Sequence, residues 1–178
     1  ILSIGMGAKP HAEAFRKAAH QATQMANEYG FEEIVLAAAD IEENPSLLTA
    51  LAESLLLSSY QFNIYKSEAK ASELTKAHIL GKGDELEAAI EKGRIMADAT
   101  SIARDLVNEP LITLTAEELS RRIESYGEQY GFGVEVFHKA KIQALKMGGI
   151  LAVNYGSIDP PTFSILEHKP ENARNEKP

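Results

Sequence analysis

Apolar side chains at Ala12, Phe15, Ala19, Ala22, Met25, Ala26 and Tyr29 recur at steps of three and four, which predicts one inward face of a helix that Gly30 ends. Ahead of it, Ile1–Ile4 reads as a buried strand running into a Gly5-Met6-Gly7 turn. Behind it, the unbroken apolar run Ile34–Ala39 predicts a strand covered on both faces. Strand, helix and strand within about forty residues make a βαβ unit, whose crossover is expected to be right-handed.

A second helix is predicted from Asn44 as N-cap and Pro45 at the first helical position, with Leu47, Leu48, Leu51, Leu55 and Leu56 as its stripe. The alternating segment Tyr60–Tyr65 leads into a polar loop, Lys66–Lys76, and Ala77–Leu80 is a brief strand. From Asp84 a long helix is expected to reach about Val107. Asp84 and Glu87 are placed as in a capping box, and Leu86, Ile90, Ala97 and Ile102 form its inner side, which Gly93 weakens. Pro110 ends it, because the ring disfavours helical geometry in the preceding residue.

Beyond Pro110 a new α/β pattern starts. Thr115 with Glu118 makes a capping box, and Leu119, Ile123, Tyr126 and Tyr130 line a helix that stops at Gly131. Val134–Phe137 is expected as a strand and Lys139–Lys146 as a short helix. Gly148-Gly149 is read as a turn, and Ile150–Val153 and Thr162–Leu166 as two further strands around the Asp159-Pro160-Pro161 turn.

With 178 residues the chain has room for one substantial core or two small ones. The absence of cysteine excludes disulfides, thiolate metal sites and a cysteine nucleophile. A net charge of -8, with lysines and arginines scattered, disfavours a nucleic-acid partner and with it a DNA-binding regulator. No tract has the length of a membrane span and no signal-peptide pattern opens the chain, so a cytoplasmic location is expected. The apolar start without a methionine reads as a cut inside a fold, and the polar close Lys169–Pro178 as a break before a continuation.

Local motifs place no active site. The Gly5-Met6-Gly7 turn lacks the third glycine of a dinucleotide site, with Pro10 and His11 in its place; a nucleotide- or small-ligand-binding module is the alternative reading. His11, His20, His78, His138 and His168 form no zinc-helix pair, and His11 and His20 fall on opposite helix faces, so surface or capping roles are expected. Glu32-Glu33, Glu42-Glu43 and Glu117-Glu118 are adjacent and point apart, so none is a catalytic dyad. In "ARDLVNEP", residues 103–110, Asp105 or Glu109 as a metal ligand competes with a structural reading. There, Asn108 satisfies backbone at the helix end while Arg104 and Asp105 tie the helix to its neighbours; the structural reading is preferred.

This run, followed by "LTAEELSRRIESYGEQYGFGVEVFHKAKIQALKMGGILAVNYGSIDPPTFSILEHKP", resembles the leucine (cytosol) aminopeptidase family of two-metal exopeptidases over roughly Ala88–Pro170. There an "ARDLVN-x-P" segment ends a linker helix, "LTP-E-L" opens the catalytic domain and "MGG-LAV-GS-PP" precedes a strand. The part from "IGMG" to "SSYQFNIYK" resembles the later half of the family's N-terminal α/β domain. Leu111 and Ile112 stand where the family often has proline and asparagine, and Ala116 replaces a proline, which changes the local loop.

The resemblance implies an α/β fold of two units joined by a long helix. A Rossmann-like or macro-like part would span residues 1–83, a linker helix 84–109 and the start of a three-layer αβα peptidase domain 110–178. It implies release of N-terminal residues from peptides, two divalent ions (zinc or manganese) in the complete enzyme, and a hexamer. The family's "GKG-x-x-x-D-x-GG" and "N-x-DAEGR" metal and catalytic segments do not occur. "GKGDELEAA" from Gly81 lacks the double glycine, so no catalytic, cofactor or metal residue is assigned to this chain, which is expected to be scaffold and inactive alone.

Overall fold

His11 starts the first helix, α1 (Ala12–Tyr29): its backbone is extended and its ring Nδ1 accepts the Ala14 N–H at 3.3 Å. Gly30 closes it at φ 70, a left-handed conformation cheap only for glycine, with its N–H on the Ala26 carbonyl. The computed structural model describes residues 3–6, 11–37, 44–69, 72–81 and 83–172. It divides into two compact units, residues 1–108 and 109–178.

In the first unit α1 buries Phe15, Ala19, Ala22 and Ala26 as the periodicity predicts, but Tyr29 is exposed. Thr23 takes a buried place instead, its hydroxyl satisfied by the Ala19 carbonyl at 3.0 Å. The strand β1 (Glu33–Ala37) pairs in parallel with β2 (Lys76–Leu80), Glu33 opposite Lys76 and Ala37 opposite Leu80. A parallel pair needs a crossover, and α2 (Pro45–Ser59) lies in it. Among the described residues the βαβ unit is therefore β1-α2-β2. Ser3–Met6 carries no strand ladder, and Ile1, Leu2, Ala38 and Ala39 lie outside the described residues.

Ile34, Leu36 and Ile79 pack on the core formed by Phe15, Ala19, Leu48, Leu51, Leu55, Leu86 and Ala89. Val35, expected inside, is 62% exposed: the helices that build this core meet only one face of the strand. Asn44 and Pro45 stand at the predicted helix start. The Asn44 side chain, however, accepts from the Ser46 hydroxyl at 2.7 Å and caps no backbone N–H, and Leu56 faces outward. Ahead of β2 the polar loop is pinned by Asn27, whose Oδ1 accepts from Ser72 Oγ and the backbone of Glu73 and Leu74.

The next helix, α3 (Asp84–Asn108), begins after Gly83. Asp84 is already inside its first turn, where it, Glu85 and Glu87 suit the positive helix end, and the Gly83 carbonyl accepts from Leu86. Leu86 and Ala97 are buried as expected, and so are Ala89 and Gly93. α2 contacts α1 on one side and α3 on another. Ser54 donates to the Arg16 carbonyl at 2.8 Å and Arg16 pairs with Glu53 at 3.1 Å, while Thr49 donates to the Ala89 carbonyl at 3.2 Å.

Gly93 makes this contact with α3 possible. A Cβ there would stand 2.8 Å from the Thr49 carbonyl oxygen and 2.9 Å from the Ala52 Cβ. The glycine read as a weakness in the helix is where the two backbones approach.

In the second unit, Thr115 Oγ1 accepts the Glu118 N–H at 3.2 Å and starts α4 (Ala116–Tyr130), which Gly131 closes at φ 74. β3 (Gly133–His138) runs antiparallel to β4 (Thr162–Glu167), with α5 (Lys139–Ala144) anchored by the fully buried Ile142. Gly148–Asn154 is a helix, α6, and not the predicted turn and strand. Ile150, Leu151 and Asn154 are half-buried while Ala152 and Val153 are exposed, a helical step and not an alternation. Four apolar residues in a row fit either period, and only the surroundings choose.

Gly93→Ala gains about 1 kcal/mol of helix propensity, but the rigid Thr49 carbonyl forces a shift that typically costs about 1–3 kcal/mol. Equilibrium urea unfolding is expected to show net destabilisation; an unchanged or higher midpoint would mean the helices do not meet this closely.

Candidate functional site: charged clusters around Asn108 and Glu109

The "ARDLVN" end of α3 converges on Tyr60, the residue that ends α2. The Tyr60 hydroxyl donates to Asp105 Oδ1 at 2.7 Å and accepts from Asn108 Nδ2 at 3.2 Å. The Arg104 guanidinium lies 5.3 Å from the centre of the same ring and reaches the Leu57 carbonyl at 3.4 Å. These residues meet because Arg104, Asp105 and Asn108 sit within little more than one helical turn, so three side chains project toward one neighbour. Partial burial, followed by the bond to Asp105, pushes the Tyr60 phenol above its ordinary value.

Arg104 and Asp105 thus tie α3 to its neighbour, as the structural reading expects. Asn108 departs from it: the amide meets a phenol, not backbone. Tyr60 was the residue missed. Its signal was only an aromatic directly after the α2 stripe, and the pairing spans 45 residues.

Glu109 belongs to the second unit. Its carboxylate, with a side chain only 5% exposed, accepts from both terminal nitrogens of Arg122 at 3.2 Å. Arg122 Nε donates to Glu118 at 3.0 Å, and Arg121 also pairs with Glu118. One planar guanidinium thereby holds two carboxylates, which its fork geometry suits. The bond from Arg122 is the main reason the Glu118 carboxyl titrates below the usual value of 4.5. Glu118 serves the capping box through its backbone N–H and this cluster through its side chain.

The other sequence candidates are dispersed. His11 caps α1, His20 meets the Ser58 hydroxyl at 3.0 Å, His78 meets Glu33 at 3.3 Å, and His138 begins α5. Lys76 first, then His78, holds the Glu33 carboxyl low. Glu42, Glu43, Gly7, Pro10 and Lys82 lie outside the described residues. Among the described residues no three or more His, Asp or Glu side chains are grouped to hold a metal ion. An apolar hollow of about 650 Å³ lies against α1 and β1, lined by Met6, Phe15, Met25 and Ile34 among others; none of the described residues that line it is charged. No described helix is long and apolar enough to cross a membrane.

Two α/β units, one with a parallel β-α-β core and one with an antiparallel pair, define the class: a mixed α/β protein. Residues 1–69 match the N-terminal domain of the cytosol aminopeptidase family and residues 101–178 match its catalytic domain. The chain belongs to the cytosol aminopeptidase family.

Among relatives, a protein of Chlorobium luteolum described as "Probable cytosol aminopeptidase" is 33% identical over 195 residues, covering 96% of this chain and 38% of the relative. One of Chloroherpeton thalassium with the same description is 54% identical over 81 residues, covering 46% of this chain and 16% of the relative. Among solved structures, a mutant of tomato leucine aminopeptidase superposes with a TM-score of 0.86 at 26% identity, covering 96% of this chain and 36% of that one. The bottromycin maturation enzyme BotP in complex with Mn gives a TM-score of 0.80 at 27% identity, over 92% of this chain and 35% of that one. The chain thus spans well under half the length of these proteins.

Two titrations follow. Glu118 has a lowered folded pKa, so its cluster stabilises the fold above 4.5 and that contribution disappears as pH falls through the lowered value. Glu118→Gln is therefore expected to flatten the loss of thermal stability on acidification, and an unaltered acid limb would sink this account. Tyr60 has a raised pKa, so its contribution is present below the ordinary value of 10.0 and disappears as pH rises through the raised one. A tyrosinate absorbance titration of Tyr60→Phe should lack a phenol that ionises late; loss of an ordinarily titrating phenol would contradict the contact with Asp105.

Proposed function

We propose that this chain is part of a metal-dependent aminopeptidase that releases N-terminal residues from peptides. The observation carrying this reading is order: the N-terminal and catalytic domain matches fall on residues 1–69 and 101–178, and along the chain α3 follows β1 and β2 and precedes β3 and β4. The name of the Mn-bound relative supports divalent metal in the complete enzyme, zinc or manganese, where two ions would polarise the scissile carbonyl and activate water. In this reading the chain's part is that of a scaffold: it builds the N-terminal core and begins the catalytic domain. A cytoplasmic location and a homohexamer belong to the same reading.

The test uses hydrolysis of leucine amide and of short peptides by the complete enzyme after chelation and after return of manganese or zinc. Release of the N-terminal residue, abolished by chelator and restored by metal, is expected; cleavage that ignores metal, or none with metal present, would overturn the proposal. The 178-residue chain alone is expected neither to bind either ion tightly in calorimetry nor to turn peptides over. Stoichiometric binding with turnover would refute its role as scaffold.

A further inference from the structure

Asn27 lies in the last turn of α1, and one oxygen of its side chain collects three hydrogen bonds from the loop before β2. Oδ1 accepts from Ser72 Oγ at 2.8 Å and from the backbone N–H groups of Glu73 and Leu74 at 2.9 and 3.2 Å. The Ser72 hydroxyl shares its one proton with the Leu74 carbonyl at 3.2 Å. None of these bonds uses the amide nitrogen, so what the loop recognises is an oxygen and not a carboxamide.

Successive backbone N–H groups that converge on one atom form a nest, an arrangement that binds anions. A carbonyl oxygen has two lone pairs and here meets three donors. A carboxylate only accepts, has about four lone-pair sites and makes stronger, charge-assisted bonds. The loop thus brings more donors than its neutral occupant has lone pairs.

The entry to β2 follows at once. The Thr75 and Lys76 N–H groups reach the Glu32 carbonyl at 2.8 and 3.1 Å, and the Thr75 hydroxyl reaches it at 3.1 Å. Lys76 is the first residue of β2, opposite Glu33, and Leu74 just ahead of it is buried. The two strands have five residues each, and parallel pairing is slightly weaker per residue than antiparallel, so contacts outside the ladder matter for where it starts.

We propose that Ser72, Glu73 and Leu74 form an oxyanion-type site, that Asn27 is its built-in ligand, and that filling it holds the start of β2 at the Glu33–Lys76 register. The ligand class is a single sp² oxygen, and a carboxylate suits the site better than the amide that fills it. General helix rules predict the opposite outcome for a carboxylate at position 27. Asparagine and aspartate have similar helix propensity, and negative charge in a last turn meets the negative end of the helix dipole. Glu28, Glu32 and Glu73, all exposed, add like charge, and Lys76 is engaged by Glu33.

Amide exchange and amide proton shifts of the full chain at neutral pH separate the two. Asn27→Asp is expected to move the Glu73 and Leu74 amide signals downfield, to keep their exchange at the wild-type rate or slower, and to leave the urea midpoint at or above that of the wild type. Asn27→Ala is expected to speed exchange of the same amides by about tenfold, with the rise spreading to Thr75 and Lys76. Amides of α2 report that the variant is folded. Where the alanine variant is not, Ser72→Ala, which removes one donor and leaves α1 untouched, replaces it with a rise of the same sign. A lower midpoint in Asn27→Asp, or signals left in place, would overturn the oxyanion site. Exchange within about twofold of wild type after loss of the oxygen or of the Ser72 donor would overturn its hold on β2.

Discussion

The approach of α2 to α3 at Gly93 is the constraint on which the first unit depends. A hydrogen in place of a methyl group lets the Thr49 carbonyl and the Ala52 side chain close against the α3 backbone, and Thr49 adds a hydrogen bond to the Ala89 carbonyl. Once that contact is set, Leu86 and Ala89 fall into the same core as Leu48, Leu51 and Leu55, and α1 closes it with Phe15 and Ala19. The long helix is consequently part of a packed unit along its length and not a rod held only at its ends. α2 can be apolar around much of its circumference because it has a helix on two sides.

That packing decides what the "ARDLVN" segment does. With α3 docked, its last turn arrives beside the end of α2, and Arg104, Asp105 and Asn108 meet Tyr60. A tyrosine is suited to this place: its hydroxyl donates to a carboxylate and accepts from an amide at once, while its face receives a guanidinium. In the second unit Arg122 plays the corresponding part for carboxylates, its flat fork serving Glu109 and Glu118 together. Both clusters join charged groups in mutual contacts.

Membership of the cytosol aminopeptidase family gives these contacts a setting. The family match to the catalytic domain begins at residue 101, within the final turns of α3, so the Tyr60 cluster joins a residue of the N-terminal match to residues of the catalytic match. Glu109, Glu118, Arg121 and Arg122 are all residues of the second match. Sequence matches and compact units therefore divide the chain at slightly different points, because α3 packs with the first unit while its end carries a motif of the second domain.

Local chemistry was enough to determine α1, α2, α3 and α4, since helical periodicity over fifteen or more residues, with Gly30, Gly131 and Pro45 at their ends, leaves little freedom. The capping by Thr115 was legible for the same reason, and the family was legible in the order of several short motifs. Tertiary structure decided the rest. Four apolar residues in Ile150–Val153 are too few to reveal a period, so their surroundings made a helix of them. The place of Gly93 as a contact and of Tyr60 as the hub of a cluster depended on partners more than forty residues away, and no local pattern encodes which distant surface a side chain will meet.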